Sequence, residues 1–174
     1  MWNASNVLVA TYAYDAERRR IVEARPVAGT TDHFYYSANW QVLEERRGGT
    51  AAGDLRRQHL WSADYVDALV ARLDYASGSL SAVRYAQQDA NFNVTSLVDA
   101  SSGVLERYIY DPYGAASLLA ADWTSRGASL YDWKLLHQRG RWDADAGLYQ
   151  FRNREYSPTL GRWNRVDPIG FEAG

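Results

Sequence analysis

The chain has 174 residues and carries 19 Lys and Arg against 21 Asp and Glu, a formal net charge of −2. This balance leaves no basic excess to neutralise phosphates, so no nucleic-acid partner is expected. Cysteine is absent, which removes disulfides and thiolate chemistry, and no stretch approaches the ~20 apolar residues of a membrane span.

Taken in chain order, the first residues, Met1 to Asn6, show no basic region followed by an apolar run, so no signal peptide is visible. Val7 to Tyr14 alternates loosely, as a strand does, Asp15 to Arg19 is a polar turn, and Arg20 to Ala24 restarts a strand. His33 to Glu44 is a second aromatic run, and Arg46 to Asp54 is a Gly-rich surface loop. Ser62 to Leu73 is ambiguous. Val66, Leu69, Val70 and Leu73 fall on a helical stripe, whereas Trp61 and Tyr65 favour a strand and no capping box follows Ser62. Asn93 to Val98 and Val104 to Tyr110 flank a hairpin loop at Asp99–Gly103. Ala115 to Ala121, rich in Ala and Leu, is a candidate short helix, broken by Asp122 to Gly127.

The last third reads as one β-hairpin. Gly147 to Trp163 turns at Ser157 to Gly161 and is followed by a second turn on Asp167-Pro168-Ile169-Gly170. The loops Asp99–Gly103, Asp143–Gly147 and Ser157–Gly161 share a length, which makes them an internal repeat in turn chemistry. The composition agrees with a sheet: thirteen Tyr and seven Trp stand against four Phe, and such side chains, apolar with a polar tip, suit half-buried sheet faces. Lys134 is the only lysine; the arginines either stack on these rings or reflect a GC-rich coding sequence.

Few residues offer chemistry. His33, His59 and His137 are far apart and lack metal-ligand spacing, so each is expected as an exposed or hydrogen-bonded strand residue. There is no Gly-x-Ser-x-Gly elbow and no phosphate loop, and no cofactor is expected. Trp40, Trp61, Trp123, Trp133 and Trp142 are candidates for stacking on sugars, which keeps a carbohydrate-binding β-module as one alternative. Asp167 is the carboxylate of most interest. As the opening residue of an Asp-Pro-x-Gly segment, it is expected to cap its turn.

Several of these motifs resemble the RHS/YD-repeat family, and in particular its RHS repeat-associated core. Asp143 to Gly174 is similar to the core motif through Gly147, Tyr149, Arg152, Arg154, Tyr156, Gly161, Arg162, Asp167, Pro168 and Gly170. Tyr110, Asp111, Pro112 and Gly114 resemble the Tyr-Asp-Pro-Tyr-Gly signature that precedes it, and Tyr12 to Asp15 resembles a degenerate YD repeat. The resemblance implies an all-β fold with little helix: an antiparallel, curved sheet of consecutive hairpins, part of a β-shell, with Ser62 to Leu73 as strand. It divides one segment, 1–174, into YD-type strands at 1–92 and the core motif at 93–174. It also implies an exported or cell-surface protein of the polymorphic-toxin kind. The partners it implies are the rest of the shell or an enclosed C-terminal effector polypeptide, and edge strands leave self-association open. In members that release their cargo the core is an aspartyl self-protease using two Asp-Pro-x-Gly motifs. Asp167 matches the first, Val166 stands where some cleaving members have Arg, and no such motif follows Gly170. A structural segment without catalysis is therefore expected, and a remnant of a self-cleaving core is the other alternative.

Overall fold

A computed structural model describes residues 1–2, 5–65, 68–167 and 170. Eleven strands form one antiparallel sheet in sequence order: β1 (Thr11–Tyr14), β2 (Arg20–Arg25), β3 (Thr30–Tyr36), β4 (Val42–Arg47), β5 (Leu55–Trp61), β6 (Leu69–Ala76), β7 (Ser79–Gln88), β8 (Val94–Asp99), β9 (Val104–Tyr110), β10 (Ala116–Ala120) and β11 (Ser125–Arg126). A second sheet contains β12 (Arg141–Asp143), β13 (Leu148–Phe151), β14 (Arg154–Ser157) and β15 (Arg162–Trp163), also in sequence order. The large sheet is not closed into a barrel. Among the described residues there is no α-helix, only two single 3-10 turns at Ala52–Asp54 and His137–Arg139. The all-β meander of hairpins is as expected.

The chain divides into two compact units, Met1–Arg84 and Tyr85–Gly174. In the first, cross-strand register places opposite charges face to face. Glu45 pairs with Arg57, Arg57 with Asp74, and Asp32 with Arg47. Asp32 takes both Nε and Nη2 of Arg47, at 2.6 and 2.8 Å, and Arg57 donates to Glu45 at 3.1 Å. Asp74 gathers Arg57, Arg72 and Arg84. Such charges are tolerated out of water because each stands opposite a complementary one; Asp32, Glu45, Arg57 and Arg72 are all buried, beside Phe34, Leu69 and Ala71. Arginines also stack on rings, Arg20 over Tyr12 at 3.9 Å and Arg46 over Tyr35 at 5.0 Å. In the second unit the core holds Val94, Leu97, Tyr108, Trp133, Leu135, Leu136 and Tyr149.

One turn recurs along the large sheet. It spans five residues, and its first residue is Asp or Ser, whose side-chain oxygen accepts the N–H of the third and fifth. At Asp15–Arg19, Asp89–Asn93, Asp99–Gly103 and Asp111–Ala115 these bonds measure 2.8–3.0 Å; at Ser37–Gln41 they measure 3.2 and 3.3 Å. The fourth residue takes a left-handed φ: Arg18 64°, Trp40 63°, Phe92 59°, Ser102 69° and Gly114 85°. Its N–H bonds the first carbonyl, and the first N–H bonds the fifth carbonyl. This is a three-residue hairpin loop with a bulge, and the strand register shifts just before the turns at Tyr14, Tyr36 and Val98. The aromatic residue preceding a turn then staples the neighbouring strand. Tyr36 donates its hydroxyl to Arg20 O at 2.9 Å, and Tyr110 donates to Val94 O at 2.7 Å; both reach back 16 residues. Trp61 Nε1 does the same to Val42 O at 2.8 Å. Arg20, Val42 and Val94 each follow one of these turns directly.

The ambiguity at Ser62 to Leu73 resolves to strand in its described part, as the resemblance implied: Leu69 and Leu73 lie on β6, with Leu69 buried and Val70 exposed. Two sequence expectations change. Most of Ala115 to Ala121 is strand β10 (Ala116–Ala120), held by pairing along β9 from Tyr110 to Glu106; tertiary pairing outweighs the helix preference of Ala and Leu. Gly147 to Trp163 is not one hairpin but three strands, because Phe151 pairs with Arg154 across a two-residue turn. Arg152 enters that turn at φ 45°.

The supposed repeat of three loops is also revised. Asp99–Gly103 is a copy of the five-residue turn. At Asp143–Gly147 the main bond runs from Gly147 N to Asp143 O, at 2.8 Å. At Ser157–Gly161 the hydroxyl of Ser157 takes Leu160 N, at 3.2 Å. Those two are different turns that share only a length.

Candidate functional site

The second unit brings the two family motifs together. Tyr110 ends β9, and Asp111 opens the turn that carries Tyr113 and Gly114. Tyr149 of β13 donates its hydroxyl to Gly114 O, and Tyr156 of β14 donates to Tyr113 O, each at 3.0 Å. Burial pushes the Tyr149 and Tyr110 hydroxyls up from their ordinary range, so both remain neutral donors.

Two glycines are required at this contact. Gly114 has φ 85°, and a Cβ there would stand 2.3 Å from Cδ2 of His137. Gly161 has φ 62°, and its Cβ would stand 2.8 Å from the Tyr113 ring. Neither neighbour is a flexible chain end, so only glycine permits the approach. Gly147, at φ 65°, serves its turn and has open space around it.

His137 lies between the motifs, in the 3-10 turn that precedes β12. It is hydrogen-bonded, as expected, but it is not on a strand. Its Nδ1 is 2.8 Å from Asn93 Oδ1, and its ring packs within 5.8–6.1 Å of Tyr110, Tyr149 and Tyr156. Burial holds the imidazole below its ordinary value, against the opposing pull of Asp89 and Asp111. His59 is buried on β5, 3.8 Å from Glu45, and His33 lies on β3 opposite Arg46. Among the described residues no cluster of His, Asp and Glu has the arrangement of a metal site.

Arg154 and Asp167 form an ion pair at 3.1 Å, and the Arg154 guanidinium lies 4.0 Å from the Trp163 ring. The turn after Asp167 closes by Gly170 N to Asp167 O at 2.8 Å, matching Gly114 N to Asp111 O at 3.0 Å. Pro168 lies outside the described residues, and Arg162 is exposed on β15 opposite Ser157. Asp167 is thus held against β14 by its carboxylate.

The candidate sugar-stacking rings each have a local role. Trp133 is buried, with Nε1 on Leu135 O at 2.7 Å, and Trp142 packs on Tyr149 at 4.8 Å. Trp61 is used as a staple and Trp40 sits in a turn. Trp123 is 60% exposed, but the Arg107 guanidinium lies 4.4 Å from its ring.

Sequence reading missed Glu106. It is fully buried and accepts from Tyr108 Oη, Ser129 Oγ and Leu130 N, each at 2.7 Å, and from Arg126 at 3.3 Å. This carboxylate pins the segment after β11 back onto β9. A buried charge with four donors is a structural node, and no local motif announces it.

No known family's profile matches the chain, and no curated protein matches it by sequence. Solved structures do match by fold. A chain of the Photorhabdus luminescens Tc holotoxin pore, with a TccC3 mutation, superposes with a TM-score of 0.64 at 21% identity over 98% of this chain. A TcdB2-TccC3-Cdc42 crystal structure gives a TM-score of 0.65 at 20% identity over 100% of it. This chain spans 9% of the length of each of those chains. The chain has the RHS-repeat shell fold of these Tc toxin proteins, as its motifs implied.

Proposed function

We propose that the chain is a structural wall segment of an RHS/YD-repeat polymorphic toxin or cell-envelope protein. It acts outside the cell or at its surface, and with the rest of the shell it encloses or presents a C-terminal effector polypeptide. It carries out no reaction of its own. The observation that supports this most directly is continuity. Within each of the two sheets the strands pair in sequence order, the large sheet is unclosed, and the chain superposes on a small part of a much longer toxin chain. The motif residues are consumed in bonding one another: Tyr149, Tyr156, Gly114 and Gly161 in the motif contact, and Arg154 and Asp167 in an ion pair.

A chimera tests the reading. The stretch of the TccC3-containing shell chain that superposes on residues 5–167 is replaced by this chain, and protease resistance of the polypeptide downstream is measured. Protection equal to that of the parent is expected. A chimera that folds, with the parent's circular dichroism, yet leaves the downstream polypeptide fully digestible would overturn the proposal.

A further inference from the structure

His137 is the only histidine of the second unit, and its protonation state is tied to the contact between the two motifs. Asn93 fixes one side of the ring. Its Nδ2 donates to Asp89 Oδ2 at 2.7 Å, so its Oδ1 faces the other way and accepts from Gln138 N at 2.9 Å and from His137 Nδ1 at 2.8 Å. An amide oxygen only accepts, so Nδ1 carries the proton of the neutral ring. The carbon edge lies against Gly114, close enough that a Cβ there would collide with Cδ2. Tyr149 and Tyr156, which flank the ring, also supply the two hydroxyl bonds to the Gly114 and Tyr113 carbonyls. Nε2 hydrogen-bonds to no described residue.

We propose that His137 is a proton-operated latch: neutral, it holds the β12–β15 sheet against the Asp111–Ala115 turn, and protonation under mild acid loosens that contact. A second proton puts a cation on a half-buried ring packed against phenol rings and a glycine backbone, where it loses part of its solvation. The charged groups facing it are Asp89, from the turn before β8, and Asp111, from the turn after β9; both favour the proton, and burial outweighs them. Tyr110, Tyr149 and Tyr156 face it from β9, β13 and β14, and burial pushes the Tyr110 and Tyr149 hydroxyls up, so those two stay neutral. An opened junction therefore takes up the proton more readily than the closed one. The latch's contribution is complete above about pH 6.5 and is lost as pH falls below it, with at most about a tenfold fall in the closed-to-open ratio per pH unit. This does not depend on the toxin reading.

Hydrogen exchange of the full chain at pH 7.5, 6.5 and 5.5, corrected for intrinsic rates, reads the latch directly. Peptides covering 108–115 and 133–142 are expected to lose protection as pH falls, by up to about tenfold over this range, while peptides of β3 to β5 keep theirs. His137→Gln, whose amide donates to Asn93 without titrating, is expected to abolish the response, and a His33→Gln/His59→Gln double variant to retain it. Unchanged protection in the parent, or the same loss in His137→Gln, would overturn the proposal. Should His137→Gln fail to fold, an NMR titration of the His137 ring in the parent decides: a value at or above the ordinary 6.5 overturns it.

Discussion

At the scale of the residue, the fold depends on a few positions where chemistry leaves no choice. Gly114 is the clearest. Its left-handed φ alone is a cost for any L side chain, and the His137 ring occupies the place a Cβ would take. Gly114→Ala is therefore expected to cost at least about 2 kcal/mol, combining backbone strain and overpacking, read as a lower urea midpoint. Gly78 gives the contrast. It has a similar φ of 78°, but its Cβ would meet nothing closer than 3.9 Å, so Gly78→Ala should cost about 1 kcal/mol. Equal effects at the two positions would show that the His137 contact is not tight in solution. Gly114 and Gly161 were legible as motif residues through family resemblance, but their partners were not. Tyr149 reaches Gly114 across 35 residues, Tyr156 reaches Tyr113 across 43, and His137 reaches Asn93 across 44. Nothing in local spacing encodes a meeting of that kind, and a lone histidine outside any strand carries no pattern.

At the scale of the element, the five-residue turn is the repeating part. Three of its opening carboxylates, Asp15, Asp89 and Asp99, are held below their ordinary value, with a physical cause. Asp99 is held below its ordinary value by the hydroxyl of Ser101 and the N–H of Gly103. At Asp15 and Asp89 partial desolvation pushes upward, and the hydrogen bonds from Arg19 and Asn93 outweigh it. A carboxylate whose folded value is depressed stabilises the fold above its unfolded value, and that contribution is lost as pH falls through the folded value. Stability should thus decline as pH falls below about 4 through these turns. An Asp15→Asn/Asp89→Asn/Asp99→Asn triple variant, which keeps the amide oxygen as acceptor, should lose roughly half of that acid slope in urea titrations. An unaltered slope would mean that the turns do not carry it. Asp15–Arg19 and Asp99–Gly103 were read as turns from sequence, but the construction shared by all five copies was not, because in four of them the left-handed position is held by Arg18, Trp40, Phe92 and Ser102 rather than glycine, and one copy opens with Ser37. The strands themselves were legible from alternation. One, β10, was read as a candidate helix because it is only five residues of mostly Ala and Leu, and β6 was ambiguous on its residues alone because the register shift between Leu60 and Trp61 breaks period two beside it.

At the scale of the whole molecule, what matters is where pairing stops. In strand order, β1 and β11 bound the large sheet and β12 and β15 bound the small one. Backbone donors and acceptors on an outer strand are satisfied by water or by another strand. The outer side of β12 is partly met within the chain, by the bridge of Leu135 to Arg141 and by Trp142 N to Lys134 O at 2.7 Å. The edge at β1 carries little protection of its own: Thr11, Ala13 and Tyr14 are exposed, and the strand has no charged residue. The chain alone is therefore expected to self-associate in a concentration-dependent way, seen by size-exclusion chromatography with light scattering. Thr11→Lys/Ala13→Lys, which places two charges on that strand without touching a buried side chain, should shift the distribution toward monomer by roughly tenfold in dissociation constant, on the order of 1.4 kcal/mol. A parent chain that stays a compact monomer at high concentration would show that the edges are already protected, and would remove the main physical reason for regarding this sheet as one part of a longer wall.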